Sequence, residues 1–318
     1  MGKSNCRTET HHWGLVKKNK FIKNLGPEIS WVSSFFLAVS STMINYNGSI
    51  IAKHSALLTV NNRAFKYGDA LFETLKVIGD KIIFAEDHYF RLMASMRMLR
   101  MKIPIEFTLD FFKKEILKTV EAQELESARV RLSVYRKDGG FYLPKHNTIE
   151  YIIEAHQLNT LVKTRYEVDL FKDYYVYSGL LSTLKTTNKI INVLASIFAD
   201  ENDLDNCLLI NEKKQLVEAL NANVFLVNGN QVITPPLSEG CLKGIVRKNI
   251  IDILHKDADY TIVEAEISPF ELQKVDEVFL TNTILGVQPV TGYRKKMYTT
   301  EVAVGLQKKL AILEDLSS

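Results

Sequence analysis

Cysteine is scarce in this 318-residue chain: Cys6, Cys207 and Cys241 are the only three, and they form no CxxC pair. That is too few for a disulfide framework and the wrong spacing for a zinc site, and it suits a reduced, cytoplasmic protein. Four common signatures are missing: GxxxxGK[ST], GxGxxG after a strand, GxSxG and HExxH. Their absence removes the local marks of P-loop, dinucleotide-binding, hydrolase and zincin chemistry. The seven histidines are scattered and offer no metal set.

An excess of charge is lacking as well. The net charge is +3, but residues 1–42 hold six of the 40 basic residues and two of the 37 acidic ones, leaving 34 against 35 in the remainder. So neutral a body is poor evidence for a nucleic-acid partner, where a basic face is needed to displace counterions. No apolar run spans a bilayer convincingly, since "ISWVSSFFLAVSST" is short and serine-rich, and no membrane partner is expected. Residues 1–42 are expected to be a disordered or non-native extension ahead of a start at Met43. A lysine-rich run before that apolar stretch alternatively reads as a targeting segment.

What is present is enough chain for two domains. A polar stretch from Asn159 to Thr164 is the expected linker between a smaller N-terminal α/β domain, 43–160, and a larger C-terminal one, 161–318. "INYNGSII" reads as a hairpin around Asn-Gly, and "ALFETLKVIGDKIIFA" as a strand pair. "EDHYFRLMASMRMLRM" and "LDFFKKEILKTVEA" have helical spacing, and "ARVRLSVYR" alternates as a strand. In the second half, strands at "YEVDLF" and through "CLLINEKKQLVEALNANVFLVNGNQVITPPL" mix with helices at "GIVRKNIIDILHK" and "EVAVGLQKKLAIL". "VDEVFLTNTILGVQPV" reads as a strand entering a loop. Without strict βαβ alternation, the pattern predicts an α+β fold of mixed or antiparallel sheets with flanking helices.

Several residues bear chemistry. Lys185, in "STLKTTNKIINVLA", stands at the edge of a helical repeat and by itself reads as a solvated lysine. Gly244 precedes a helix, so the N–H groups of Ile245 and Val246 face the loop, a disposition that binds phosphate. Arg91 offers a fork of donors on a helix face. Glu218 falls in an otherwise apolar strand, where a carboxylate needs a partner or shifts its pKa. Thr283 ends "FLTNT" in a loop. His88, at a helix start, reads as a structural hydrogen bonder rather than a base.

Taken in order, "RAFKYGDALFETLKV", "HYFRLMASMRML", "LKTTNKIINVLA", "VEALNANVFLV", "TPPLSEGCLKGIVR" and "DEVFLTNTILGVQPV" resemble the class IV aminotransferase family, the pyridoxal-phosphate enzymes of fold type IV. The resemblance covers nearly everything after Met43. It implies a two-domain, D-amino-acid-aminotransferase-like fold with pyridoxal 5'-phosphate in the cleft between the domains. It also implies a small-molecule amino substrate and a homodimer whose sites borrow residues from the partner subunit. Lys185 would bind the cofactor's aldehyde covalently and shuttle the Cα proton, and Glu218 would pair with the ring nitrogen. Arg91, the N–H groups of Ile245 and Val246, and Thr283 would hold the phosphate. Tyr67 and Arg131 are the substrate-pocket candidates, with Arg129 an alternative on the same strand face. Asn188 at plus three from the lysine, Ile190 at plus five, and "FLTNT" in place of Thr-Gly-Thr-Ala look like the 4-amino-4-deoxychorismate lyases. Those enzymes eliminate pyruvate and release 4-aminobenzoate for folate synthesis. The alternatives are a branched-chain or a D-amino-acid transaminase, or a homologue that kept the fold without the chemistry.

Overall fold

The computed structural model describes residues 42–55, 58–160 and 163–317; residues 1–41, on which the expected extension falls, lie outside them. The first strands, β1 (Met43–Tyr46) and β2 (Ser49–Ala52), form the Asn-Gly hairpin, with Asn47 and Gly48 both at positive φ, 49° and 88°. Helix α1 (Arg63–Tyr67) starts on Asn62, whose side chain accepts from the Phe65 N–H, and stops on Gly68 in the left-handed region. Next come β3 (Ala70–Ile78), β4 (Lys81–Ile82), α2 (Ala85–Met98), α3 (Leu109–Glu121), β5 (Ser127–Arg136) and β6 (Ile149–Gln157). The six strands make one antiparallel sheet in the order β2-β1-β6-β5-β3-β4.

Alternation on β5 decides which face is covered. Val130, Leu132 and Val134 are buried against Met96 of α2 and Phe112 and Ile116 of α3. Each such side chain contributes roughly 1.5–3 kcal/mol of transfer free energy. The opposite face of β5 carries Arg129 and Arg131, and that face is turned to the chemistry below.

The remaining chain builds two five-stranded sheets. One runs β16-β15-β7-β8-β9 from β7 (Glu167–Val176), β8 (Asn206–Asn211), β9 (Leu216–Ala219), β15 (Gly292–Tyr293) and β16 (Lys296–Met297), with helix α4 (Ile190–Glu201) on β7 and β8. The other runs β12-β11-β10-β13-β14 from β10 (Asn223–Asn228), β11 (Gln231–Thr234), β12 (Thr261–Glu264), β13 (Glu277–Asn282) and β14 (Gly286–Val290). Helices α5 (Ile245–His255) and α6 (Glu301–Leu316) cover it. Pairings β7–β8, β7–β15 and β11–β12 are parallel and the rest antiparallel, so these sheets are mixed. Phe225 and Phe279, directly opposite on β10 and β13, stack 4.8 Å apart at the centre.

The segment read as a strand entering a loop turns back instead as the β13–β14 hairpin. The Asn282 side chain accepts from the Ile284 and Leu285 N–H groups and makes the turn, a local bond that hydrophobic patterning does not reveal. No helix among the described residues is long and apolar enough to cross a membrane.

Candidate active site

Lys185 is placed by β3 rather than by the helix that follows it. Thr186, Thr187 and Asn188 disfavour helix, and the segment lies extended against the sheet edge. The Phe72 N–H donates to the Lys185 carbonyl at 2.9 Å, and the Thr187 N–H to the Ala70 carbonyl at 3.1 Å. Asn188 donates from Nδ2 to the Gly68 carbonyl at 3.1 Å. Gly68 has φ +62°, and a Cβ there would lie 2.1 Å from Asn188 Oδ1, so both backbone and space require glycine. Helix α4 starts only after Lys189.

A cavity of about 540 Å³ collects nearly all the expected site residues: Lys185, Glu218, Arg91, Ile245, Val246, Thr283, Arg131 and Arg129 line it together. The Phe72 ring has the Arg131 guanidinium carbon 3.8 Å from its centroid and Lys185 Nζ 4.7 Å from it. Arg131 is half-buried and Arg129 exposed, which favours Arg131 for a role inside. Tyr67 is the exception. It lines an adjoining cavity of about 1020 Å³ with Arg63, Tyr142 and Tyr177, away from Lys185. A third cavity, about 780 Å³, lies across Arg91 and contains neither Lys185 nor Glu218.

The electrostatics differ at each end. Burial, followed by repulsion from Arg91, pulls Lys185 down to about 7, against the opposing pull of Glu73; Lys189 also lowers it and Glu218 raises it. About half of the amine is then neutral at pH 7. Glu218 is buried on β9, and burial raises its pKa, opposed by Lys189, by the Leu242 N–H and by Lys185. The Leu242 N–H donates to Glu218 Oε2 at 2.8 Å, leaving acceptor capacity on the carboxylate.

Arg91 is aimed by a residue that sequence reasoning missed. Its Nε donates to Glu73 Oε1 at 2.8 Å, Nη2 donates to Glu73 Oε2, and Nη1 donates to the Lys243 carbonyl at 3.0 Å. Glu73 is also 2.7 Å from His88 Nδ1. Burial would raise Glu73, but Arg91 and His88 outweigh it and hold it at about 2. His88 is wholly buried, and burial lowers its pKa despite the bond to Glu73. It braces Glu73, as the structural reading expects.

The phosphate-holding set can be tested against what the cavity offers. Helix α5 begins at Gly244 with no side-chain cap, so its first N–H groups have no partner of their own. Thr281 Oγ1, buried on β13 at the cavity wall, has no hydrogen-bond partner. A Cβ on Gly244 would lie 2.0 Å from Asn223 Oδ1, and Asn223 Nδ2 holds the Leu242 carbonyl at 2.9 Å. An orphaned hydroxyl, an uncapped helix start and an arginine that keeps N–H groups beyond those given to Glu73 and Lys243 line one cavity with an amine and an acid, and together they fit a phosphorylated pyridine aldehyde. Gly244→Ala is accordingly expected to weaken pyridoxal-phosphate binding at least ~10-fold, about 1.4 kcal/mol, in an absorbance titration. Unchanged affinity would remove the helix start from the phosphate site.

A family model described as amino-transferase class IV matches residues 70–293. A protein of Methanocaldococcus jannaschii assigned as a branched-chain-amino-acid aminotransferase is 27% identical over 280 residues, covering 84% of this chain and 93% of the relative. The aminodeoxychorismate lyase of Vibrio harveyi is 27% identical over 241 residues, covering 73% and 86%. Among solved structures, the branched-chain aminotransferase of Thermoproteus uzoniensis, crystallised with norvaline, has a TM-score of 0.79 at 21% identity and covers 86% of this chain and 95% of its own.

Proposed function

This chain belongs to the class IV aminotransferases, enzymes that use pyridoxal 5'-phosphate, and we propose that within the family it is a 4-amino-4-deoxychorismate lyase. The observation that carries the choice is the lysine segment. Asn188, three residues past Lys185, is the side chain locked against Gly68, while Ile190, five past it, is 67% exposed on α4 and brings no phenol to the cofactor. The β13–β14 turn supports the same reading, because Asn282 already occupies the Ile284 and Leu285 donors.

Arg129 and Arg131, on one strand face, line the cavity with Lys185, and either guanidinium offers a carboxylate-binding fork to an acidic substrate.

In the proposed reaction, Arg91, the Ile245 and Val246 N–H groups, Thr283 and Thr281 hold the phosphate, and Glu218 accepts the ring N–H. Bound pyridoxal phosphate supplies an electron sink conjugated to the amine-bearing carbon of the substrate. Lys185, in its neutral form, takes the proton from that carbon. The bond between the ring carbon and the ether oxygen then breaks, the three-carbon side chain leaves as enolpyruvate and takes up a proton to become pyruvate, and the ring becomes aromatic with its amine retained. Arg131 orients a substrate carboxylate. The deciding assay follows 4-aminobenzoate and pyruvate release without an added keto acid, against amino transfer to 2-oxoglutarate. Release of both products is expected; turnover of leucine or isoleucine without 4-aminobenzoate would reverse the assignment to a branched-chain transaminase.

The homodimer is part of this proposal. Phe141, Tyr142 and Leu143 are 84–90% exposed on a loop whose carbonyls are gripped by the buried Arg63, at 2.6 Å for Phe141. Tyr67 packs on Tyr142 at 5.6 Å, which suits a tyrosine offered to a second copy rather than to its own Lys185. So rigid an apolar loop fits a protein surface better than water. Sedimentation as single 36.3 kDa chains would overturn this. The buried free thiols of Cys207 and Cys241 support the cytoplasmic location expected above, and recovery of the native protein from a secreted fraction would contradict it.

A further inference from the structure

Three side chains, Glu218, Lys189 and Asn192, line both the Lys185 cavity and the larger cavity beside it, and so make the wall between the two. Asn192 is committed, donating from Nδ2 to the Leu220 carbonyl at 2.7 Å. Lys189 is not: among the described residues its amine has no hydrogen bond or ion pair. Its backbone nevertheless has little freedom. It caps α4, its carbonyl accepts the Val193 N–H at 2.9 Å, and the preceding Asn188 is fixed on Gly68.

We propose that Lys189 is a positioning residue of the site, a cation unpartnered among the described residues that faces Glu218 and the Lys185 cavity from the wall shared by the two cavities. The proposal rests on reading Lys185 as the amine that carries the cofactor. The charged groups facing Lys185 are Arg91 on α2, Glu73 on β3, Lys189 before α4 and Glu218 on β9, with Arg131 of β5 on the Phe72 ring that Lys185 also meets. Arg91 and Glu73 are bonded to each other through two nitrogens, so their fields at Lys185 largely cancel. Lys189 has no such counter-ion bond, and it lowers Lys185 after burial and Arg91, with Glu73 and Glu218 opposing. Glu218 in turn feels Lys189 more strongly than any other favourable group. One cation therefore serves two ends: it resists a second proton on Lys185 and resists protonation of Glu218.

The test uses the full chain freed of cofactor. Trace acetylation across pH, with the Lys185 peptide quantified by mass spectrometry, reports that amine's titration midpoint. The wild-type midpoint is expected near the value of about 7. Lys189→Met should move it up by about one unit, and Lys189→Arg should restore it. The absorbance titration of the loaded protein's lysine-bound cofactor should move in the same direction. Lys189→Gln provides a second neutral variant if methionine disturbs folding. A purely structural lysine would lower the melting temperature and leave the midpoint in place, and an unmoved midpoint in the neutral variants overturns the proposal. If the wild type forms no lysine-bound band with pyridoxal phosphate, the cofactor reading of Lys185 fails, while acetylation still decides the role of Lys189.

Discussion

Replacing Lys185 by alanine is expected to cut turnover by at least ~10³-fold and to erase the absorbance band of the lysine-bound cofactor, because in the proposed reaction one amine both carries the cofactor and moves the proton. A band persisting in the variant would mean that another amine bears the aldehyde. The same side chain has a cost that the cofactor-free protein reveals. Its folded-state value of about 7 lies below the ordinary 10.5. Below pH 7 both folded and unfolded chains hold the proton, and the buried charge is fully destabilising. Between pH 7 and 10.5 the folded chain has released the proton and the unfolded chain has not, so stability rises with pH across this window. Above it the cost is gone. Lys185→Met should therefore be more stable than wild type at pH 6, by about 2 kcal/mol after discounting for partial exposure. The gap should close toward pH 10 in denaturant unfolding. A gap independent of pH would show that packing, not charge, sets the difference.

Glu218→Gln is expected to lower kcat ~10²–10³-fold while leaving the cofactor bound. The amide keeps the shape and the bond from the Leu242 N–H, but it has no negative charge with which to hold a protonated ring nitrogen. Removing the carboxylate also deletes one of the two groups that raise Lys185, so in the cofactor-free protein the titration midpoint of the Lys185 amine should fall rather than rise. That displacement is opposite in sign to the one expected of Lys189→Met, and the pair of variants separates the two contributions. Wild-type turnover in Glu218→Gln would remove the acid from the reaction.

These roles were not equally legible in the chain. Glu218 announced itself, because a carboxylate inside "LVEALNANVF" is anomalous on hydrophobic grounds alone. Gly244 before an amphipathic helix was visible for a similar local reason. Lys185 was not: its setting is that of a surface lysine, and only the ordered resemblance of six segments gave it a function. Glu73 was hidden because β3 reads as one nearly continuous buried run, and its partners Arg91 and His88 lie on the next helix, across a contact that periodicity does not encode. Thr281 was passed over for Thr283, since only three dimensions show that the Thr281 hydroxyl is buried without a partner among the described residues. Tyr67 was grouped with Lys185 on family resemblance, yet the left-handed turn at Gly68 directs the two into different cavities. The strands of the first sheet and the longer helices followed from patterning, but the short α1 (Arg63–Tyr67) did not. Nor did the β13–β14 hairpin: Gly286 at positive φ closes its turn, but the Asn282 amide that holds it is invisible to patterning.

The joint between Gly68 and Asn188 ties two segments 120 positions apart into one unit of inheritance. A recombinant that took its lysine loop from one relative and its first glycine block from another would receive half of that joint. Any longer side chain at either member would tilt the loop off the sheet edge. Crossovers between homologues should therefore survive only when both segments come from the same parent.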